Sequence, residues 1–542
     1  MKRFGLFVLV GVLAAAGVFA GPKQDSSGGV KASWFSDVSF WNPPANWNLD
    51  ENTITGTISK ATGVQFEMNI PPEDGASKLS LMLISGNLPD VMSVTDATLI
   101  KELVASGKVW KMEEFLKQYD PQSHLLRDFP EDVKQAMIFR DGGWYAYPSH
   151  INSADARKQF PSIEFYNDDP LYRDGKALMW NLDLLARAGL NQNELLTEAQ
   201  VLAAWKKVAA MNLTVDGAPV IPLLVDGTRY QDHTLSFLYN SFGAEEVDRN
   251  GNYSDRILTP QAKHALSFFN GLVRDGILDP NQLTIDNSQV KAYIASGRVL
   301  SFIGNTPDTG IDQAKENFWS AGPIVSADGA RPVLGKSLQA TSGWISTFIS
   351  RSAKNPEALA KWLSWMSSPE GMMLAINGFP GVHYNLNSQG LVVYTEKGQV
   401  DRDNFTQTGV NAYWPFHHST WSFSNTLPPP AGHKETYNMQ IQCAVGKYKD
   451  TAIYDASLLA RPSGLIDPNS DLGITELQIT NYKKPQIATV ITAKTPADFE
   501  QAYNTLIAQL QTLGIASLDA RINEGVQGNY RLYNSRIQKV NN

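Results

Sequence analysis

From Lys31 onward, apolar and polar positions alternate between two periods. Short runs of period two, such as Val64-Gln65-Phe66-Glu67-Met68, predict strands, and longer stretches with apolar residues three and four apart predict helices between them. The helices include Ala76 to Ser85, stopped by Gly86-Asn87, then Leu99 to Ser106 and Met112 to Tyr119. A second block starts near residue 160. There Leu182 to Ala188 ends at Gly189, Thr197 caps Glu198 to Met211, and Thr259-Pro260 opens a helix to Arg274. Val220 to Val225, Val299 to Ile303 and Trp344 to Ile349 read as strands, and Asp248 to Asn252 as a turn. Asn355 to Met366 and a segment from Thr495-Pro496 to Leu513 are further helices. Residues 387 to about 430 are polar, aromatic and irregular, which predicts a long surface insertion. Strands alternating with helices make this an α/β chain with a largely parallel sheet covered on both faces.

One apolar run fits neither pattern. Phe4 to Ala16 lies behind Lys2 and Arg3 and ahead of Val18-Phe19-Ala20. That is the layout of a secretory signal peptide over residues 1–20, and the run is too short for a membrane span. The mature chain is expected to begin at Gly21, with a polar leader over 21–30, and to work outside the cytoplasm. No Cys follows the run, so no lipid anchor is expected. An unanchored exported protein is best retained by a periplasm.

Size and composition narrow the classes. At 542 residues the chain exceeds what one core normally organises, so two lobes are expected. Its 43% apolar and 18% charged residues are those of a globular protein rather than a disordered one. Losing Lys2 and Arg3 takes the net charge from -8 to -10, and a mildly acidic chain without a basic run argues against nucleic acid as a partner. Cys443 is the single cysteine, so no intrachain disulfide forms and a buried thiol is expected. The aromatic content is high, with 13 Trp, 19 Tyr and 23 Phe, and several Trp stand beside Asn, Pro, Gly or Ser. Flat rings in polar surroundings suit stacking on the apolar faces of sugars.

Ordered segments then point to a family. Leu178-Met179-Trp180-Asn181-Leu182-Asp183-Leu184-Leu185 through Ala188-Gly189-Leu190 resembles the segment of sugar-binding bacterial extracellular solute-binding proteins in which two aromatics and Asn lead into a helix ending in Ala-Gly-Leu. Gly86-Asn87-Leu88-Pro89-Asp90-Val91 is similar to their Gly-x-x-Pro-Asp-Val, and Gly142-Gly143-Trp144-Tyr145-Ala146-Tyr147-Pro148 to their Gly-x-x-Tyr-Ala-x-Pro. Asn355-Pro356-Glu357-Ala358 with Ser368-Pro369-Glu370-Gly371 matches a further pair, and Gly378 to Tyr384 with the helix to Gly514 resembles the larger oligosaccharide-binding branch. The likeness covers 31 to about 385 and again 495 to 535.

The resemblance implies a two-lobed, type 2 periplasmic-binding-protein-like fold with a ligand cleft between lobes and extra C-terminal helices. Lobe 1 would comprise 31–150 plus about 340–385. Lobe 2 would comprise 151–339 plus about 386–542, including the insertion. It also implies a monomeric, non-enzymatic receptor that closes on a carbohydrate and delivers it to the transmembrane permease subunits of an ABC importer. Some members of the branch carry a calcium loop, but here Asn212 to Gly217 offers one acidic ligand, so no metal is expected, nor any cofactor.

The candidate ligand-binding residues are Trp34, Asp90, Trp180, Trp344 and Trp414. Each Trp is placed against a core-packing alternative, and Asp90 against a cap or turn role. Trp180 is expected at a strand end facing the crevice, so that its removal weakens binding with little effect on folding. His417-His418 reads as a surface pair. The competing function is a secreted glycoside hydrolase, which needs two carboxylates facing across a cleft. No G-x-S-x-G, H-E-x-x-H or Walker segment is present, and an all-β adhesin is at odds with the α/β alternation.

Overall fold

Nine strands build two sheets in the computed structural model, which describes residues 29–533 apart from 249, 312–313, 315–316, 338–342 and 428–433. The expected signal peptide and nearly all of the leader lie outside the described residues. The strands are β1 (Val30–Ser36), β2 (Val64–Asn69), β3 (Val91–Val94), β4 (Tyr147–Pro148), β5 (Lys176–Asn181), β6 (Leu224–Val225), β7 (Ser301–Asn305), β8 (Phe318–Trp319) and β9 (Ser346–Ile349). The first sheet has the order β2-β1-β3-β9-β4 and the second β8-β5-β7-β6.

The sheets are mixed rather than largely parallel. β1 runs parallel to β2 and β3, whereas β9 is antiparallel to β3 and β4. In the second sheet β5 is antiparallel to both β7 and β8, and β6 is parallel to β7. The cause is where the chain crosses between sheets. It leaves the first sheet after β4 at the edge where β1 and β3 end, and it returns to that edge, so β9 has to run back against them. β5 enters the second sheet from the matching edge and runs away from it.

Each sheet anchors its own core. The first gathers Trp34, Phe35, Phe66, Val91, Phe115, Phe348 and Trp362. The second gathers Trp180, Trp205, Phe237, Phe242, Phe269 and Ile303, together with Ile487, Val490, Leu506, Leu510 and Ile522 from C-terminal helices. Ala177, Met179, Phe302, Phe318 and Ile441 cover the other face of the second sheet. From these memberships the chain passes between the two bodies three times: between β4 and β5, between β8 and β9, and between Phe416 and Ile441.

Helix ends follow local chemistry. Glu198–Met211 starts with a Thr197–Gln200 capping box, Pro260–Arg274 with Thr259, and Pro496–Leu513 with Thr495 and a C-terminal Gly514 at φ 98°. The strand expected over 220–225 shrinks to β6, with Pro222 unable to donate to a ladder. Several helices lack any counterpart in the sequence reading, among them Ile54–Thr62, Glu131–Asp141, Thr234–Ser241, Asn287–Ala295, Lys434–Lys447, Asp471–Ile491, which contains Pro485, and Ile515–Tyr533. Residues 387–427 are not an irregular surface insertion and do not join the second body. They carry the helices Glu396–Asp403, Phe405–Thr408 and Ser419–Asn425, and Val410, Ala412, Tyr413 and Phe416 are buried in the first core.

Candidate functional site

The facing edges of the two sheets define the cleft. On the first body, β1, β3 and β4 end there, followed by Asp37, Thr95 and Ser149. On the second, β6 and β7 end there at Asp226 and Asn305, and Lys176 of β5 pairs with Asn305. The two edges meet across the gap where the Arg229 guanidinium lies 5.9 Å from the centre of the Phe40 ring.

This geometry corrects three expected site residues. Trp180 lies at the end of β5, but β5 runs away from the cleft, so the ring sits at the far edge opposite Ser301 and Trp319. It is 0% exposed and stacks on Trp205 at 5.8 Å. Trp34 is likewise 0% exposed, boxed in by Trp41, Phe66 and Trp362, with its indole N–H donating to Ser93 Oγ at 2.9 Å. Asp90 precedes β3 and therefore stands at the edge opposite the cleft. Its Oδ2 accepts from the Ser33 N–H and hydroxyl, both at 2.8 Å, and Oδ1 accepts from the Lys354 N–H at 3.2 Å. It ties the start of β1 to the turn after β9.

Trp344 and Trp414 lie elsewhere. β9 begins only at Ser346, which leaves Trp344 outside the ladder and 43% exposed at the crossing. Phe40 stacks beside it at 6.1 Å with a 21° tilt, Trp414 lies 6.4 Å from Trp344 and 6.3 Å from Phe40, and Phe405 lies 5.2 Å beyond Trp414. Trp344, Phe40 and Trp414 thus form a three-ring cluster on the first body's rim, with Phe405 beside Trp414. The Trp414 N–H donates to the Asn411 carbonyl at 3.0 Å, which fixes its orientation.

The second body meets the ring cluster at Phe40 through Arg229, part of a polar rim organised by Asp226, whose side chain is buried. Asp226 Oδ2 lies 2.5 Å from His233 Nδ1 and accepts from the Asn305 N–H at 2.9 Å. Arg229 Nη2 pairs with Asp308 at 2.8 Å, and Asn305 Nδ2 donates to the same Asp308 oxygen at 2.6 Å. A buried carboxylate needs such partners, and here they also hold Arg229, Asn305 and Asp308 at the gap. Phe40, Arg229, Asn305 and Asp308 were not among the expected residues. Phe40 carries a weak signal, an aromatic in a polar stretch, whereas the second body's residues meet only through sheet closure.

The crossing itself is lined by histidines. The His150 N–H donates to the His417 carbonyl at 2.5 Å, the two rings lie 4.6 Å apart, and His150 sits edge-on to Trp344 at 5.5 Å. Burial, with Arg173 nearby, holds His150 down to about 4, and burial drives His417 well below its usual value. His418 is buried, not a surface residue as expected. Its Nδ1 accepts from the Trp421 N–H at 3.1 Å, and burial takes it to about 3. Neutral imidazoles therefore line this wall at neutral pH. Among the described residues no three His, Cys, Asp or Glu gather in a geometry that could hold a metal ion. Flat rings on one wall and a guanidinium, amide and carboxylate on the other can grip a flat-faced, hydroxyl-rich molecule.

Comparison with known proteins bears on the whole architecture. A model of the bacterial extracellular solute-binding protein family matches residues 57–373. The fructooligosaccharide ABC transporter substrate-binding protein FusA of Streptococcus pneumoniae is 23% identical over 335 residues, which is 59% of this chain and 58% of that protein. The solved structure of FusA with kestose covers 93% of this chain and 100% of its own at a TM-score of 0.69 and 15% identity. An HMO-binding solute-binding protein associated with an ABC transporter of Bifidobacterium longum infantis covers 92% and 99% at a TM-score of 0.62 and 13% identity. These structures share the fold. Since the family match spans more than half of the chain, this protein belongs to the bacterial extracellular solute-binding proteins, binding proteins rather than enzymes.

Proposed function

We propose that this chain is the substrate-binding component of an ABC importer and that its cargo is a carbohydrate, an oligosaccharide, held in the cleft between the two bodies. The single observation that carries this reading is the ring cluster Trp344, Phe40, Trp414 and Phe405, met at Phe40 by Arg229, which Asp308 and Asn305 hold from the second body. Stacked rings take the apolar face of a pyranose or furanose, and the fixed polar rim takes its hydroxyls. Kestose bound to FusA and the HMO-binding relative support the same ligand class. The signal-peptide pattern over 1–20 supports export and a periplasmic place of work, where the loaded monomer would dock on transmembrane permease subunits.

Calorimetry of the mature protein against neutral and acidic oligosaccharides, with the sugar recovered and analysed afterwards, tests this. A ligand bound and returned intact is expected, and Trp344→Ala should weaken it by more than about 1 kcal/mol while the melting temperature holds, because Trp344 is exposed. Binding unaffected by that change would remove the ring cluster from the site. Cleavage of the sugar would overturn the receptor reading.

A further inference from the structure

We propose that the receptor carries an outer sugar subsite on the first body, built to take the distal, uncharged units of a longer oligosaccharide; this rests on the reading of the cleft given above. The ring cluster does not stop at the crossing. Trp344, Phe40 and Trp414 lie 6.1 to 6.4 Å from one another, and Phe405 extends the cluster 5.2 Å past Trp414. Near it lies a hollow of about 520 Å3, walled by residues 42–46, Asn48, Thr53, Thr55 and residues 406–409. Its walls are the segments that follow two of the rings: Asn42 comes two positions after Phe40, and Thr406 directly after Phe405, so the hollow adjoins the cluster without being lined by its rings.

Its chemistry selects the ligand. Among the described residues no Lys, Arg, Asp or Glu lines it, and the lining is mainly polar, so neither an ionic ligand nor an apolar one is matched. What it offers is amides and hydroxyls. Asn46, Thr406 and Gln407 line it, and among the described residues their side chains make no hydrogen bond within the protein. Free amide groups on a rigid concave wall are suited to a neutral, hydroxyl-bearing ring. The walls are fixed before any ligand arrives. The Thr55 hydroxyl donates to the Asn48 carbonyl at 2.7 Å, and the Trp41 indole N–H donates to the Ala412 carbonyl at 2.6 Å. Gly409, at φ 78°, lets the two walls meet: a Cβ there would come within 3.3 Å of Ile54 Cβ and 3.5 Å of Pro44 Cγ. The backbone of the walls is set in advance, so an added sugar unit has only the Asn46, Thr406 and Gln407 side chains to order.

The experiment is a calorimetric length series, from disaccharide to hexasaccharide, in fructo-, malto- and manno-linked sugars. It is run on the wild type and on the double variant Asn46→Ala/Gln407→Ala. Both side chains are exposed, so the variant should melt like the parent. In a linkage that binds, the wild type should gain about tenfold in affinity from the shortest bound sugar to the longest, and the variant should lose that gain while binding the shortest sugar equally well. Wild type and variant tracking each other at every length would overturn the subsite and leave the cleft reading standing. No binding by any sugar would overturn the cleft reading and this one with it.

Discussion

At the residue scale, the two tryptophans most alike in sequence context part company in the structure. Trp344 and Trp180 each stand at the end of a predicted strand, yet one is exposed at the crossing and the other is sealed against Trp205. Trp180→Ala is therefore expected to cost about 3–5 kcal/mol of stability in urea unfolding, as large-to-small changes in a packed core do. Trp180→Phe should cost less, since among the described residues the indole N–H has no partner to lose. A Trp180→Ala variant that unfolds like the parent but binds sugar poorly would return this residue to the cleft. The buried histidines make a second prediction. His418 titrates near 3 and His150 near 4 in the folded chain, against about 6.5 when unfolded. Because the unfolded chain takes up these protons first, stability is complete above pH 6.5 and falls as the pH drops toward 4. The loss is about 1.4 kcal/mol per pH unit for each histidine. His418→Asn keeps a side-chain acceptor for the Trp421 N–H, so it should preserve the helix cap and flatten the pH dependence by about one proton. An unchanged slope in urea midpoints between pH 4.5 and 7 would mean that His418 charges freely in the folded chain.

At the scale of elements, what was legible in the sequence is what local chemistry decides. The helices Met112–Tyr119, Glu198–Met211, Pro260–Arg274 and Pro496–Leu513 have the expected bounds, the last three because Thr caps, N-terminal Pro or terminal Gly act within a few residues of themselves. Strand direction has no local determinant. β9 and β5 take theirs from the edge at which the chain re-enters a sheet, and that is why Asp90 and Trp180 were assigned to the wrong ends. Asp471–Ile491 was hidden by Pro485, which lacks the N–H a helix interior needs. Packing of Ile479, Ile487 and Val490 into the second core stabilises the helix through that break, and Gln231 Nε2 donates to the neighbouring Lys484 carbonyl at 2.8 Å. The 387–427 segment was misread for a related reason. Its buried residues come in pairs split by single part-exposed ones, Gly409-Val410, Ala412-Tyr413 and Pro415-Phe416, a spacing that fits neither a strand nor a helix.

For the whole molecule, the question is what a ligand could move. Two bodies with separate cores, joined by three crossings, can rotate as units with little internal rearrangement, and three crossings confine that rotation to a hinge-like path. A ligand shifts such an equilibrium only by touching the two states unequally. One that lies on the Trp344–Phe40–Trp414 cluster alone contacts the first body equally well whether the gap is open or shut. The second body supplies the difference. Arg229, Asn305 and Asp308 are held in place by Asp226 and by one another, so they contact a sugar on the rings only in states where the edges stand close, as they do here with Arg229 5.9 Å from Phe40. The expected result is a fall in the radius of gyration of the mature protein, measured by small-angle X-ray scattering, when an oligosaccharide that binds in calorimetry is brought to saturation. In Trp344→Ala the same compaction should need more sugar but reach the same end point, because the closing contacts belong to the other body. A radius of gyration that stays constant at saturation would mean that the rings alone recognise the sugar, and that Arg229 and Asp308 serve to hold the second body's rim rather than to close it.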